Sequence, residues 1–244
     1  MSGHSHAKTV KSKKEAGAKQ RSQIFSKMNR LISLAVRDGG PDPKINSKLR
    51  MAIESARSFN MPNDNIERTI KRASGEGEEG KLEEFLFEVY GPGNTAMLIE
   101  GITDNKNRAL GEVKKILAQH NGKLVQEGAI KWMFQRKGYA TIELEAQSEE
   151  LKDKEKLELV AIEAEAEDVA WNNNNLDVYT SVENLEKVKK NLEEKGIKIA
   201  SSGLEWKPKE ETELDEKQKQ ACQKLFEALD DNDNVQDIYS NLKV

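Results

Sequence analysis

The sequence predicts a multi-domain α and α+β protein, in which an N-terminal three-helix domain precedes two ferredoxin-like α+β domains, one inserted in the other. Three observations support this fold class. Apolar residues recur at helical spacing up to about residue 73. A segment rich in glycine and glutamate, residues 74–80, then interrupts the pattern. Beyond it, strand-like and helix-like segments alternate along the rest of the 244-residue chain.

The helical domain is predicted over residues 15–79, after a flexible basic arm at 1–14 that has no periodicity. Its first helix is predicted over 15–37, because these apolar residues share one face: Ile24, Phe25, Met28, Leu31, Ile32 and Ala35. The second helix, over 46–59, turns inward Leu49, Ala52, Ile53 and Ala56. A short third helix is predicted from Ile66, Ile70 and Ala73, and Asp64 followed by Glu67 resembles a capping box at its start.

The inserted α+β domain is predicted over 138–202. Its strands, at 139–145, 167–171, 176–181 and 197–201, and its helices, at 154–164 and 182–195, follow the complete order β-α-β-β-α-β. The other α+β domain is predicted over 80–137 and 203–244. It takes the strands at 84–90, 95–103, 129–135, 203–207 and 235–240, and the helices at 106–119 and 214–229.

Charge is distributed unevenly along the chain. The net charge is −4, yet residues 1–75 carry 16 Lys and Arg against six Asp and Glu. A basic front on an acidic body is typical of a nucleic-acid-binding protein. The single cysteine, Cys222, allows no internal disulfide and suits a reducing compartment. No apolar run approaches the roughly 20 residues of a membrane span, so we expect a soluble cytoplasmic protein with no membrane partner.

The opening segment, MSGHSHAKTVKSKKEAGAKQRS, admits four interpretations. His4 and His6 supply too few ligands for a tight metal site. A transit peptide would be basic and acid-poor as this segment is, but rich in arginine rather than lysine. A tail without a function is the third interpretation, and an arm that binds a polyanion is the one we favour. It gives electrostatic affinity that falls with salt.

The third helix, with its short preceding turn, also resembles the second helix of a helix-turn-helix. Side chains suited to base edges are scarce on it, so we expect its cations to contact phosphate. The predicted nucleic-acid-binding residues are His4, Lys8, Lys11, Lys13, Lys14, Lys19, Arg21, Lys27, Arg30, Arg37, Arg68, Lys71 and Arg72.

A second contact surface is predicted in the first α+β domain. Pro92 and Gly93 suit a type II turn, and Asp104 can cap the helix that follows it. Cations in the first turn of that helix oppose its dipole, which indicates either a contact with phosphate or RNA or an ordinary solvated turn. The residues predicted to form this surface are Gly91, Pro92, Gly93, Asn94, Asp104, Asn105, Lys106, Asn107 and Arg108.

The sequence contains no recognisable catalytic constellation. It has no nucleotide-binding glycine loop, no Cys/His pairing and no calcium loop. We therefore expect a binding protein rather than an enzyme, with no metal and no cofactor. An enzyme acting on nucleotides through a ferredoxin-like domain is the alternative from another class.

Four segments together resemble the YebC family of transcriptional regulators, which includes mitochondrial translational activators of cytochrome c oxidase. They are GHS with the lysine arm, LRMAIESARSFNMPNDNIERTIKRASG, FEVYGPGNTAMLIEGITDNKNR and VQDIYSN. The resemblance covers nearly the whole chain. It implies a helical domain with two α+β domains and non-enzymatic action: DNA binding in some members, and in others ribosome binding that relieves stalling on proline-rich stretches.

The chain departs from the family pattern at three places. His6 and Ala7 replace the usual Lys-Trp, Asn94 replaces the last glycine of GPGG, and Glu165 replaces a glycine before AED. We expect a monomeric regulator that binds ribosomal RNA, and with it the ribosome, with a DNA-binding transcriptional regulator as the alternative. The mitochondrial or plastid matrix is the alternative location.

Overall fold

The computed structural model describes residues 18–75 and 81–243, with side chains from Gln20 onward. The chain forms two compact units. One comprises Gln135–Lys207, and the other comprises the described residues up to Phe134 and from Pro208 to Lys243. The basic arm predicted at residues 1–14 lies outside the described residues.

Three helices begin the described chain: α1 (Ala18–Gly39), α2 (Ser47–Ser58) and α3 (Asn63–Ser74). Their predicted apolar faces are confirmed, since they share one core that includes Met28, Ile32, Leu49, Ala52 and Ile66. Asn46 caps α2, because its side chain accepts a hydrogen bond from the backbone of Leu49 at 3.0 Å. The predicted capping box at Asp64 is wrong: α3 begins after Pro62 without a side-chain cap.

After residue 80 the elements follow in this order: β1 (Glu83–Tyr90), β2 (Ala96–Thr103), α4 (Lys106–Gln119), β3 (Lys123–Leu124), β4 (Phe134–Glu143), α5 (Lys154–Glu163), β5 (Asp168–Asn172), β6 (Asn175–Thr180), α6 (Leu185–Glu194), β7 (Ser201–Pro208), α7 (Glu216–Asp230) and β8 (Val235–Ser240). They build two four-stranded antiparallel sheets. The predicted fold class, helical and α+β, is confirmed.

The first sheet has the strand order β3-β1-β2-β8. Helices α4 and α7 pack on one of its faces, where they bury Val113, Leu117, Leu225 and Phe226 against β1 and β2. Strand β1 pairs with both β2 and β3, so it lies inside the sheet. Residues 203–207, which we predicted as a strand of this domain, belong instead to β7 in the second sheet.

The other face of the first sheet carries a buried carboxylate, Glu88, which is 3% exposed. It accepts backbone hydrogen bonds from Gly128 and Ile130 at 2.5 Å and from Lys131 at 2.9 Å. Burial alone would raise the pKa of Glu88, but these three donors and the Lys131 charge bring it below its usual value. The carboxylate thus supplies acceptors that a neighbouring strand would otherwise supply to these N–H groups. The strand predicted at 129–135 therefore does not form, and residues 131–133 are a 3₁₀ turn instead.

The second sheet has the order β5-β6-β4-β7, with α5 and α6 packed against it. This is the predicted β-α-β-β-α-β unit, but its last strand runs over Ser201–Pro208 rather than 197–201. The reason lies in Gln147, whose side-chain amide bonds both the N–H and the C=O of Lys198 at 2.8 and 2.9 Å. That contact satisfies the Lys198 backbone groups that strand pairing would otherwise use.

Candidate nucleic-acid interface

A polar cleft of about 360 Å³ lies between the helices and the first sheet, within one compact unit. Helices α1 and α3, the start of β1 and the start of α4 contribute its lining: Ser26, Asn29, Arg30, Ser33, Arg72, Leu82, Asp104 and Arg108. The cleft brings together two groups of residues that the sequence placed on separate predicted surfaces. Three guanidinium groups and one carboxylate meet there, together with two hydroxyls and an amide.

Arg30 is held from one side. Its Nη1 donates to Asp233 O at 2.7 Å, to Asn234 Oδ1 at 3.0 Å and to Ile102 O at 3.3 Å. Its other two nitrogens make no hydrogen bond within the described part of the chain. The guanidinium is therefore fixed in orientation, with donors left for a ligand in the cleft, and a fixed fork of donors suits a phosphate.

Arg108 lies on the first turn of α4 and pairs with Asp104 and, at 3.9 Å, with Glu112. A hydrogen bond from its own backbone N–H, and the charges of Arg108 and Arg30, lower the pKa of Asp104. The helix cap is Asn105, whose Oδ1 accepts from Arg108 N at 3.0 Å, so the predicted cap at Asp104 is wrong. The two carboxylates offset the unfavourable position of Arg108 in the helix dipole.

The turn at residues 91–94 is remote from the cleft. Gly93 has the positive φ, +68°, that a type II turn centred on Pro92 and Gly93 requires. Asn94 also has a positive φ, +60°, and Thr95 N donates to Pro92 O at 3.4 Å. Strand β2 separates this turn from Asp104 by roughly 23 Å, at about 3.3 Å for each residue. The predicted second contact surface therefore divides in two, and Asp104 and Arg108 are its members at the cleft.

The remaining predicted cations have different surroundings. Lys27 is buried and pairs with Asp230 at 2.8 Å, an arrangement that joins α1 to the end of α7 rather than facing solvent. Arg37 donates to Leu82 O. Exposed cations are Arg21, Arg68, Lys71, Arg72 and, on α4, Lys106. Outside the described side chains lie His4, Lys8, Lys11, Lys13, Lys14 and Lys19.

Sequence reasoning missed three polar residues of the cleft, Ser26, Asn29 and Ser33. A signal was present, because these residues and Arg30 recur three to four positions apart and so form a polar stripe along α1. In the described residues, no group of three or more His, Cys, Asp or Glu side chains is placed to hold a metal ion. That same part of the chain has no helix of the length and apolar character needed to span a membrane.

Comparison with known proteins gives a consistent result over the whole chain. Residues 5–76 match the model of the TACO1/YebC N-terminal domain, and residues 82–242 match that of the TACO1/YebC second and third domains. The chain belongs to the TACO1/YebC family. The resemblance inferred from the sequence motifs is thereby confirmed.

The similarity to relatives in this family extends over nearly the full length of both chains. A probable transcriptional regulatory protein of Halothermothrix orenii is 42% identical, over 100% of this chain and 96% of its own. One from Desulfosudis oleivorans is 42% identical over 99% of this chain and 96% of its own. The crystal structure of a conserved hypothetical protein from Aquifex aeolicus has a TM-score of 0.84 at 40% identity, covering 93% of this chain and 91% of that one. The relatives' names support a regulatory role in the family.

Proposed function

We propose that this TACO1/YebC protein is a non-enzymatic, nucleic-acid-binding regulator of gene expression that acts on RNA. In this proposal it binds ribosomal RNA and relieves ribosome stalling on proline-rich sequences in the cytoplasm. The basic segment before residue 15 and the exposed cations of α3 contact the phosphate backbone, and the cleft makes a second contact. The acidic remainder of the chain limits other contacts with the polyanion.

The observation that carries the proposal is the convergence of Arg30, Arg72 and Arg108 on one cleft. These arginines come from three separate segments, so the fold itself collects the charge. Like charges brought together repel each other, and of the described residues in the cleft lining only Asp104 is acidic. An arrangement of this kind favours an anionic ligand, and phosphate is the anion that arginine forks recognise in nucleic acids.

The choice of RNA over DNA rests on the shape of the basic elements. Helix α3 has only 12 residues, and its exposed charged side chains are the acids Asp64 and Glu67 and the cations Arg68, Lys71 and Arg72. The cations are suited to phosphate contacts rather than to base edges. Specific duplex binding generally needs a helix that presents several side chains to base edges in the major groove. The names of the relatives favour the second candidate, a DNA-binding transcriptional regulator.

The test is a salt titration of binding to ribosomal RNA and to duplex DNA. Arg68→Ala and Arg108→Ala should each weaken RNA binding and flatten the plot of log K against log salt by about one unit for each phosphate that the variant no longer neutralises. Lys115→Ala is the matched control, because Lys115 is an exposed cation of α4 outside the cleft lining. Unchanged slopes in both cleft and α3 variants would remove the proposed interface.

Cellular and translation measurements separate the two candidates. On a density gradient the protein should migrate with ribosomes and leave that position after ribonuclease treatment. Arg108→Ala should reduce the relief of stalling on proline-rich messages in a reconstituted translation system, with no loss of thermal stability. A protein that sediments with DNA and binds duplex promoter fragments more tightly than RNA would support transcriptional regulation instead.

A further inference from the structure

Ser33 has an unusual environment for a serine in a helix. Its residue surface is only 7% exposed, and it lines the cleft. Within the described residues its hydroxyl makes no hydrogen bond, although helical serines commonly bond a carbonyl one turn earlier. Because Ser33 lines the cleft, its hydroxyl is available to donate and accept hydrogen bonds with a ligand there.

Asn29 lies one turn before Ser33 on the same side of α1 and also lines the cleft. Its Oδ1 accepts a hydrogen bond from Thr69 Oγ1 at 2.7 Å, which leaves its amide NH₂ group as a donor. This contact between α1 and α3 fixes the orientation of the amide. The cleft thus combines guanidinium donors from Arg30 and Arg108 with a neighbouring hydroxyl and amide.

The size of the cleft restricts the ligand. About 360 Å³ is at the lower end of the range for small-molecule sites and suits a single nucleotide rather than a helical segment. Arginine forks match a phosphate, and a hydroxyl that can donate and accept matches a sugar hydroxyl. Among the described residues, the lining contains no aromatic side chain on which a base would stack.

We propose that the cleft binds one ribonucleotide of an RNA strand, with its phosphate at Arg30 and Arg108 and its ribose 2′-hydroxyl at Ser33. Asn29 donates to the same sugar–phosphate unit. The 2′-hydroxyl is the group that distinguishes RNA from DNA. Ser33 is therefore a specificity-determining residue for RNA. This inference rests on the proposed function, and it attributes the protein's preference for RNA over DNA to one side chain.

The experiment compares matched single strands, one RNA and one DNA of the same sequence, by fluorescence anisotropy with the full-length protein. Ser33→Ala should lower RNA affinity about three- to tenfold, the ratio expected when one hydrogen bond is removed, and leave DNA affinity unchanged. Arg108→Ala should lower the affinity for both strands and reduce the salt slope. Ser22→Ala is the matched control, because Ser22 is an exposed serine of α1 outside the cleft lining.

A second measurement uses the unaltered protein and so does not depend on the folding of a variant. A single 2′-deoxy substitution is moved along the RNA, and affinity should fall at one position and stay constant elsewhere. If affinity is uniform along the scan, or if Ser33→Ala keeps the RNA preference, the ribose contact is overturned while RNA binding itself stands. If the unaltered protein binds neither strand, the proposed function and this inference both fail.

Discussion

Glu165 adopts a backbone conformation that is energetically unfavourable for any residue other than glycine. Its φ is +69°, immediately after the end of α5, where a left-handed residue is usually glycine. The left-handed region costs a residue with a Cβ roughly 1–2 kcal/mol. Its carboxylate pairs with Lys187 at 2.6 Å, but both side chains are more than half exposed, so this pair stabilises the fold only slightly.

Replacing Glu165 with glycine should therefore raise the free energy of unfolding by about 0.5–1 kcal/mol, because the relief of strain exceeds the added flexibility of the unfolded chain. Urea denaturation followed by circular dichroism measures this change. Lys187→Ala is the control: it removes the ion pair without altering the backbone and should change stability by less than about 0.5 kcal/mol. A loss of stability in the Glu165→Gly variant would contradict the argument.

The same scale shows how far the sequence identifies the site. The sequence shows which residues are charged, but it put Arg72 and Arg108 on two separate predicted surfaces. Only the fold shows that both line one cleft. Lys27 lies on α1, as four of the cleft residues do, yet it is buried and pairs with Asp230 of α7. Arg30 lines the cleft and is also bonded to the loop after α7. Whether a cation faces solvent or a neighbouring element depends on tertiary contacts that local periodicity does not contain.

At the scale of elements, α1 joins the first α+β sheet through the C-terminal end of α7. Lys27 Nζ bonds both the backbone oxygen and the carboxylate of Asp230, at 2.7 and 2.8 Å, and Arg30 bonds Asp233 O. A helix C-terminus leaves carbonyl groups without intrahelical donors and carries partial negative charge. Lys27 thus satisfies this end of α7, Arg30 bonds the loop that follows it, and both contacts fix α1 against the first sheet's unit.

The Lys27–Asp230 ion pair predicts that Lys27→Ala affects stability but not RNA binding. Arg68→Ala, at an exposed cation of α3, should affect RNA binding but not stability. Lys27→Ala should lower the free energy of unfolding by about 1–3 kcal/mol, since it leaves the partly buried Asp230 without its partner, while the salt slope for RNA stays the same. Arg68→Ala should reduce the salt slope and leave stability within about 0.5 kcal/mol. Melting curves and salt titrations of the two variants measure these effects. A reduced slope of log K against log salt for Lys27→Ala would indicate that Lys27 contacts RNA after all.

Elements with a strong local signal are the ones that the sequence predicted well. The bounds of α4 and β8 agree with the predicted segments 106–119 and 235–240. Strand β3 has two residues and no alternating pattern, so no sequence signal predicts it. The wrong strands, at 129–135 and 197–201, are apolar segments whose backbone groups are bonded by Glu88 and Gln147, and such distant side-chain partners cannot be inferred from local propensity.

At the scale of the whole molecule, the inserted α+β domain has the features of a unit that folds independently. Residues Gln135–Lys207 form one compact unit with its own core, which includes Ile142, Leu157, Val178 and Leu192. The domain predicted from the sequence ended at residue 202. That boundary would remove six of the eight residues of β7, the strand that flanks β4 at the edge of the second sheet.

The fragment 134–208 should therefore fold alone, with dispersed amide NMR signals and a cooperative melt, whereas the fragment 138–202 should not. The shorter fragment lacks the pairing of β4 with β7, the ion pair of Lys207 with Asp168 at 2.5 Å and the contact of Arg136 with the Trp206 ring at 5.2 Å. It also leaves β4 as an unpaired edge with exposed backbone groups, which favours aggregation. If both fragments give equally dispersed spectra and equal melting temperatures, β7 contributes nothing to the unit; if neither folds, the insertion depends on the rest of the chain.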